Sequence, residues 1–151
     1  MKITFYLGWA KGNISKKAFK SEEAFQMFSD YFSRLGHFTS CQVTGAADPR
    51  KIASGGTKLW VCSSSKNGKH ASSEEVAAQL KKLLDAGTKE LCIAVGPADG
   101  FSKETLENLK PDFLWSFGPM TLPHELAAVV ASEQLYRAFT ILRNLPYHSG
   151  H

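Results

Sequence analysis

The stretch that decides the fold runs from Glu90 to Gly100, ELCIAVGPADG. After Glu90 it is an unbroken apolar run to Val95, and a loop of glycine, proline and aspartate follows at once. A strand with one wet face alternates apolar and polar residues, whereas a strand without alternation is covered on both faces, as in a parallel sheet between helices. Downstream, the pattern predicts a short helix over Ser102–Leu109, a strand over Asp112–Phe117 and one long helix from about Pro123 to Leu142. Upstream, Ser72 and Glu75 form a capping-box pattern that opens a helix carrying Val76, Ala77, Leu80, Leu83 and Leu84 and ending at Gly87. Leu59, Trp60 and Val61 mark a strand over Thr57–Ser63, preceded by a Gly, Ala, Asp and Pro loop through Pro49. His37–Val43 alternates loosely, Ser21–Leu35 places Ala24, Phe25, Phe28, Tyr31, Phe32 and Leu35 at helical spacing, and Lys2–Gly8 is apolar and β-prone. Strands alternating with helices predict an α/β fold: a mostly parallel sheet with helices on both faces.

With 151 residues, 43% of them hydrophobic, residues 1–151 fit a single domain able to bury its own core. Nowhere do about 18 consecutive apolar residues occur, so no membrane span is expected. The N-terminus, MKITFYLGWAKG, lacks the long apolar region and small-residue cleavage site of a signal peptide and reads as a first strand, which makes a cytoplasmic location the expectation. Cys41, Cys62 and Cys92 are an odd number without a CxxC pair, each in an apolar, β-like stretch, and read as buried reduced thiols. The net charge of +4 suits a polyanionic partner, although an excess of this size is common in proteins that never touch nucleic acid. Lys11, Lys16, Lys17 and Lys20 are either a solvated face or a track for phosphates.

Ligands of open α/β sheets bind beyond the carboxyl ends of the strands. Three loops qualify: Cys62–Lys69 (CSSSKNGK), Val95–Phe101 (VGPADGF) and Phe117–Leu122 (FGPMTL). None has the GK[ST] ending of a phosphate loop or the GxGxxG spacing of a dinucleotide site, and the chain has neither a GxSxG elbow nor an HExxH helix. His124, His148 and His151 match no metal-ligand spacing, so no metal is expected. Taken alone, FGPMTL is a strand-to-helix turn, Arg137 is a salt-bridged residue of an apolar helix, and Tyr147 and His148 are a frayed terminus.

The segment MTLPHELAAVVASEQLYRAFTILRNLPYH, Met120–His148, changes that weighing. Its Thr121, Leu122, Pro123 and His124, then Glu133, Gln134, Leu135, Tyr136, Arg137 and Ala138, and finally Pro146, Tyr147 and His148, resemble the C-terminal pattern of the large-subunit rRNA pseudouridine N3-methyltransferase family of the SPOUT superfamily. Weaker likeness continues upstream in KITFYLGWAK, in Gly68-Lys69 with Ser72-Ser73-Glu74 and Val76 to Leu80, and in GPADG, which stands where that family has a Gly-Gly-Pro-Glu-Gly-like loop. The order matches along the whole chain, with strong motifs only after Leu114.

What the resemblance implies is a C-terminal trefoil knot, an exception to the rule against threaded chains. It also implies S-adenosyl-L-methionine as methyl donor, N3 of a pseudouridine in large-subunit rRNA as acceptor, the ribosome or that rRNA as partner, and a homodimer whose substrate surface is assembled from both subunits. The implied cofactor site is Cys62, Gly96, Phe117, Gly118, Pro119, Met120, Thr121 and Leu122, with backbone groups meeting the adenine edge and apolar walls around it. His148, Tyr147 and Arg137, in that order, are the implied candidates for removing the N3 proton or polarising the ring. The terminal pair is expected to be a flexible tail that orders on the ribosome. Ala128 and Ser149 stand where the family commonly carries basic residues, which keeps two alternatives open: a SPOUT methyltransferase with another RNA target, and a non-catalytic ribosome-binding homologue.

Overall fold

The computed structural model describes residues 1–11, 18–45, 55–63 and 68–149. Lys16, Lys17, the loop through Pro49, the 64–67 part of CSSSKNGK and the final Gly150 and His151 lie outside the described residues. The elements run β1 (Lys2–Leu7), α1 (Glu22–Leu35), β2 (Cys41–Gly45), β3 (Thr57–Ser63), β4 (Lys69–His70), α2 (Ser73–Asp85), β5 (Glu90–Val95), α3 (Lys103–Leu109), β6 (Phe113–Ser116) and α4 (His124–Leu142). All the described strand pairs are parallel, in the order β2-β1-β5-β3-β6-β4.

β5 is central because it has no polar face to offer water: Leu91 to Val95 are all buried, and the strand pairs with β1 on one side and β3 on the other. The period-two geometry of strands then sorts side chains between two layers. Ile3, Phe5, Leu7, Trp60, Ile93, Phe113 and Trp115 meet the apolar faces of α1, α2 and α4 in one core. Tyr6, Leu59, Val61, Cys92 and Ala94 form a smaller core on the opposite face with Leu109, and Leu106 of α3 packs against it. Helices therefore cover both faces, three on one and the short α3 on the other. Fully buried side chains such as Trp60, Trp115 and Leu135 each contribute about 1.5–3 kcal/mol relative to exposure.

α4 lies between α1 and α2, which explains why its apolar residues are not confined to one stripe. Its buried Ser132 and Thr140 hydroxyls donate to the carbonyls of Val129 (2.8 Å) and Arg137 (2.6 Å), so they add no unsatisfied group to the core. Ser21, Ser72 and Ser102 accept N–H bonds at the starts of α1, α2 and α3, each worth about 1 kcal/mol, and Ser72 with Glu75 completes the capping box.

At the amino ends of the strands, the Glu90 carboxylate ties three neighbours together. It accepts from Thr4 Oγ1 (2.9 Å) and Thr57 Oγ1 (2.9 Å) and pairs with Lys2 Nζ (3.2 Å). Burial is the largest single influence on this carboxyl and would raise its pKa; together the bonds from Thr4, Thr57 and Lys2 outweigh it and hold the group below the ordinary range.

Two elements differ from the sequence pattern. β2 starts at Cys41, not near His37, because the N–H groups of His37, Phe38 and Thr39 are taken by carbonyls at the end of α1 and are not available to a ladder. β4 falls where the periodicity leaves only the CSSSKNGK loop, although the family likeness at Gly68-Lys69 implies a strand before α2: Lys69 and His70 are both exposed and carry no apolar pattern, yet they pair with Trp115 and Ser116. Gly68 permits that approach, since a Cβ there would lie 2.8 Å from Ser116 Cβ. Among the described residues no helix is long and apolar enough to cross a membrane.

Candidate functional site: a cleft at three strand ends and a cluster on the last helix

Because β5, β3 and β6 are sheet neighbours, the segments leaving their carboxyl ends rise side by side. They enclose a cleft of about 210 Å³. Cys62 and Ser63 come from β3, Val95 to Phe101 from the end of β5 and its loop, and Phe117, Met120, Thr121 and Leu122 from the segment after β6. Leu106 of α3 and His124 and Ala127 of α4 close it. Gly118 and Pro119 do not line it; they shape the loop behind the lining residues. Gly118 has φ +111°, a turn that side-chain-bearing residues rarely make, and the Ser116 hydroxyl accepts its N–H at 3.3 Å.

The neighbouring backbone is packed tightly. A Cβ on Gly96 would meet Phe101 N at 3.0 Å, tighter than most Cβ contacts, so the absence of a side chain at 96 eases the fold of the 96–101 loop onto itself. The Gly8 N–H donates to Val95 O (2.8 Å), and a Cβ there would lie 3.1 Å from Pro97 Cδ. Trp9 follows: its indole N–H donates to Ala18 O (2.8 Å) and its ring meets that of His124 edge-on at 4.6 Å. Glu125, nearly buried, accepts the N–H groups of Lys20 and Ser21, both at 3.0 Å, and so fixes the start of α4 to the approach to α1. Burial pushes the Cys62 thiol well above the usual cysteine range, which removes its nucleophilic form at neutral pH. Apolar walls, a few backbone and hydroxyl groups and an inert thiol suit this cleft to holding and aligning a ligand.

Arg137, Tyr147 and His148 are absent from that lining and meet one another elsewhere, on the outer part of α4. Arg137 donates through Nε (2.9 Å) and Nη2 (2.6 Å) to Glu133 Oε1, one turn earlier, and the Tyr147 hydroxyl donates to the same oxygen at 3.0 Å. The guanidinium lies over the Tyr147 ring at 4.8 Å, and Tyr136 packs edge-on against that ring at 4.7 Å. His148 Nδ1 lies 3.1 Å from Arg137 Nη1 and its Nε2 lies 2.8 Å from Glu74 Oε1. Burial, followed by Tyr31 and Glu133, pushes the Tyr147 phenol far above its ordinary range, so it stays protonated and donates. The expected flexible tail is instead pinned to α4: its phenol, ring faces and imidazole all have partners.

A family model described as "Predicted SPOUT methyltransferase" matches residues 12–148. The chain belongs to the SPOUT methyltransferase family. Among relatives of this SPOUT chain, ribosomal RNA large subunit methyltransferase H of Limosilactobacillus reuteri (strain DSM 20016) is 32% identical over 157 residues, covering 91% of this chain and 94% of that protein. The protein of the same name from Koribacter versatilis (strain Ellin345) is 52% identical over 84 residues, 56% of each chain. The chain thus spans about half the length of several relatives it matches and nearly all of others. A solved structure described as a probable methylase family protein from Haemophilus influenzae Rd KW20 shares the fold at TM-score 0.50 and 14% identity, covering 94% of this chain and 66% of that one.

In this SPOUT chain the sequence pattern places Cys62, Gly96, Phe117, Met120, Thr121 and Leu122 on loops that the sheet order brings to one cleft. It does not announce Asp99, Leu106 or His124 as lining residues. His124 follows Leu122-Pro123 as the first residue of α4, a position a loop-to-helix reading could have placed at the same mouth. Ala128 is fully buried in α4. Among the described residues no group of three or more His, Cys, Asp or Glu side chains is placed to hold a metal.

Proposed function

We propose that this SPOUT protein methylates N3 of a pseudouridine in large-subunit ribosomal RNA, with S-adenosyl-L-methionine as donor. The observation that carries this is the convergence of the 62–63, 95–101 and 117–122 segments on one cleft of mixed apolar and backbone-polar character, in a family of methyltransferases whose relatives bear a large-subunit rRNA name. When bound, the donor supplies an electrophilic methyl carbon, whose bond to sulfur breaks as the bond to N3 forms. Phe117, Met120 and Leu122 would supply apolar walls for the adenine, backbone groups of Phe117, Met120, Thr121, Leu122 and Gly96 would meet its polar edge, and Cys62 would complete the pocket from β3, while Gly118 and Pro119 hold the loop in shape. The chain's task is alignment, which by itself supplies a large part of the rate in a direct displacement.

The acceptor nitrogen must also lose a proton. Tyr147, held protonated, serves as a hydrogen-bond donor and not as the base. Arg137 is a fixed cation suited to polarising a ring carbonyl beside N3, which eases loss of the N3 proton; His148, the remaining acceptor candidate, takes that proton only after its Nδ1 is released by Arg137. Because these three do not line the cleft of their own chain, a two-fold homodimer that sets one subunit's cluster against the other's cleft completes the site. The same family reading carries the trefoil knot, a single domain over 1–151 and a cytoplasmic location beside ribosomes. The decisive experiment is modification mapping of ribosomes lacking the mark, treated with protein and donor. N3-methylpseudouridine in large-subunit rRNA is the expected product; a methyl group on another nucleotide identifies a different target, and cofactor binding without transfer identifies a non-catalytic homologue.

A further inference from the structure

We propose that Glu74 is a positioning residue, whose carboxylate clamps the His148 ring and thereby fixes how Arg137 and the C-terminal pair are presented. This rests on the reading of Arg137 and His148 as acceptor-side groups given above. The geometry starts in the first turn of α2, which carries two acids, Glu74 and Glu75. Glu75 accepts the Ser72 N–H at 2.8 Å to complete the capping box. Ser73 donates its hydroxyl to Gln134 Oε1 at 2.8 Å, which docks this turn against α4. Glu74 is thereby carried to the tail, and its Oε1 lies 2.8 Å from His148 Nε2 across 74 residues of sequence.

The two ends of the imidazole then have determined roles. A guanidinium has donors only, so Arg137 Nη1, 3.1 Å away, donates to Nδ1. The ring proton must sit on Nε2, where it donates to the Glu74 carboxylate. His148 is largely enclosed, its side chain 13% exposed, whereas Glu74 at 59% is the solvent-side jaw of the clamp. The His148 bond is the largest influence on the Glu74 carboxyl and holds its pKa below the ordinary range. Tyr147 keeps its own anchors on Glu133 and Tyr136, so removal of the Glu74 carboxylate frees the imidazole and one Arg137 donor while the tail stays attached.

The test uses the full chain at about pH 8, with nitrogen-edited NMR of the imidazoles, His148 being identified by its loss in His148→Gln. Native protein should show His148 as the Nε2–H tautomer. Glu74→Ala should convert it to a mixture and lower kcat for methyl transfer to ribosomes about tenfold, with the donor Kd unchanged, whereas Glu74→Gln keeps an acceptor oxygen and should preserve both readouts. The clamp is overturned if Glu74→Ala leaves tautomer and rate as in the native protein. It is equally overturned if Glu74→Gln falls as far as Glu74→Ala, because charge at the helix start, not the bond to the ring, would then be responsible. A native protein that shows the Nε2–H ring but methylates no ribosome overturns the enzymatic role of Glu74 together with the proposed function, while the ring geometry stands.

Discussion

Gly118→Ala separates the shape of the cleft from the stability of the fold. A Cβ at position 118 would meet nothing within 4 Å, so the substitution causes no clash. Its cost comes from φ +111°, a sparsely populated region in which an L-residue is held only at about 1–3 kcal/mol. The 117–122 loop escapes that strain by rotating residue 118, giving up only the Ser116 hydroxyl bonds to the Gly118 N–H and carbonyl, 3.3 and 3.2 Å, which are weak. Rotation displaces Phe117 relative to Met120–Leu122 across the cleft from Gly96. If the binding-competent loop is disfavoured by that strain, its population falls about 5- to 150-fold, and the apparent Kd for S-adenosylmethionine rises by the same factor. Gly87 is the control: it has φ +73°, also with nothing within 4 Å of a Cβ, but it lies in the turn before β5, at the other end of the strands. Gly87→Ala should lower Tm by about 2–4 °C for each kcal/mol of strain and leave Kd unchanged. Calorimetric titration of both variants, with melting curves, decides the matter. Native affinity in Gly118→Ala refutes the role of this loop in the site, and equal loss of affinity in both variants refutes the claim that the effect is local.

The Glu90 carboxyl titrates below its unfolded value, so it contributes stability that is present above the unfolded pKa of about 4.3 and is lost as pH falls through the folded one. Urea melts from neutral to acid pH should therefore show a shallower acid loss for Glu90→Gln than for the native chain; superimposable slopes would remove Glu90 from the account. Light scattering during size exclusion should give about twice 16.6 kDa, and a concentration-independent monomer that still methylates ribosomes would defeat the shared site. Replacing Tyr147 and His148 together by alanine should leave donor affinity near native and cut methyl transfer to ribosomes by a factor on the order of 10². Transfer at the native rate would show the pinned tail to be structural only.

Most of the architecture was legible because buried strands and helices must repeat apolar residues at fixed periods. Leu91 to Val95 states its two-sided burial outright, and Ser72 with Glu75 states where α2 begins. β4 was illegible to that periodicity for the same reason: a two-residue edge strand with both side chains in water buries nothing that a pattern could record. Periodicity placed the 62–69, 95–101 and 117–122 loops at strand ends but not beside one another; their adjacency depends on β3 lying between β5 and β6, a matter of sheet order. The bond between Glu74 and His148 was out of reach altogether, since it depends on how far α2 slides along α4 before Ser73 meets Gln134. The tail read as flexible because a Gly/Ser-containing terminus has no apolar period, whereas its order comes from one phenol and one imidazole finding charged partners on helices already formed.

The central place of β5 also governs the order in which the newborn chain can fold. β1 and β3 are both made before β5, yet they are not neighbours; the strand between them ends at Val95. Until that residue is made, β1 has only β2 beside it and β3, with Trp60, has neither of its neighbours, so both present unpaired backbone edges of the kind that invites association between chains. Completion then requires strands far apart in sequence to meet, and pairings of this non-local, parallel kind form slowly because the loop entropy is lost before the contacts are gained.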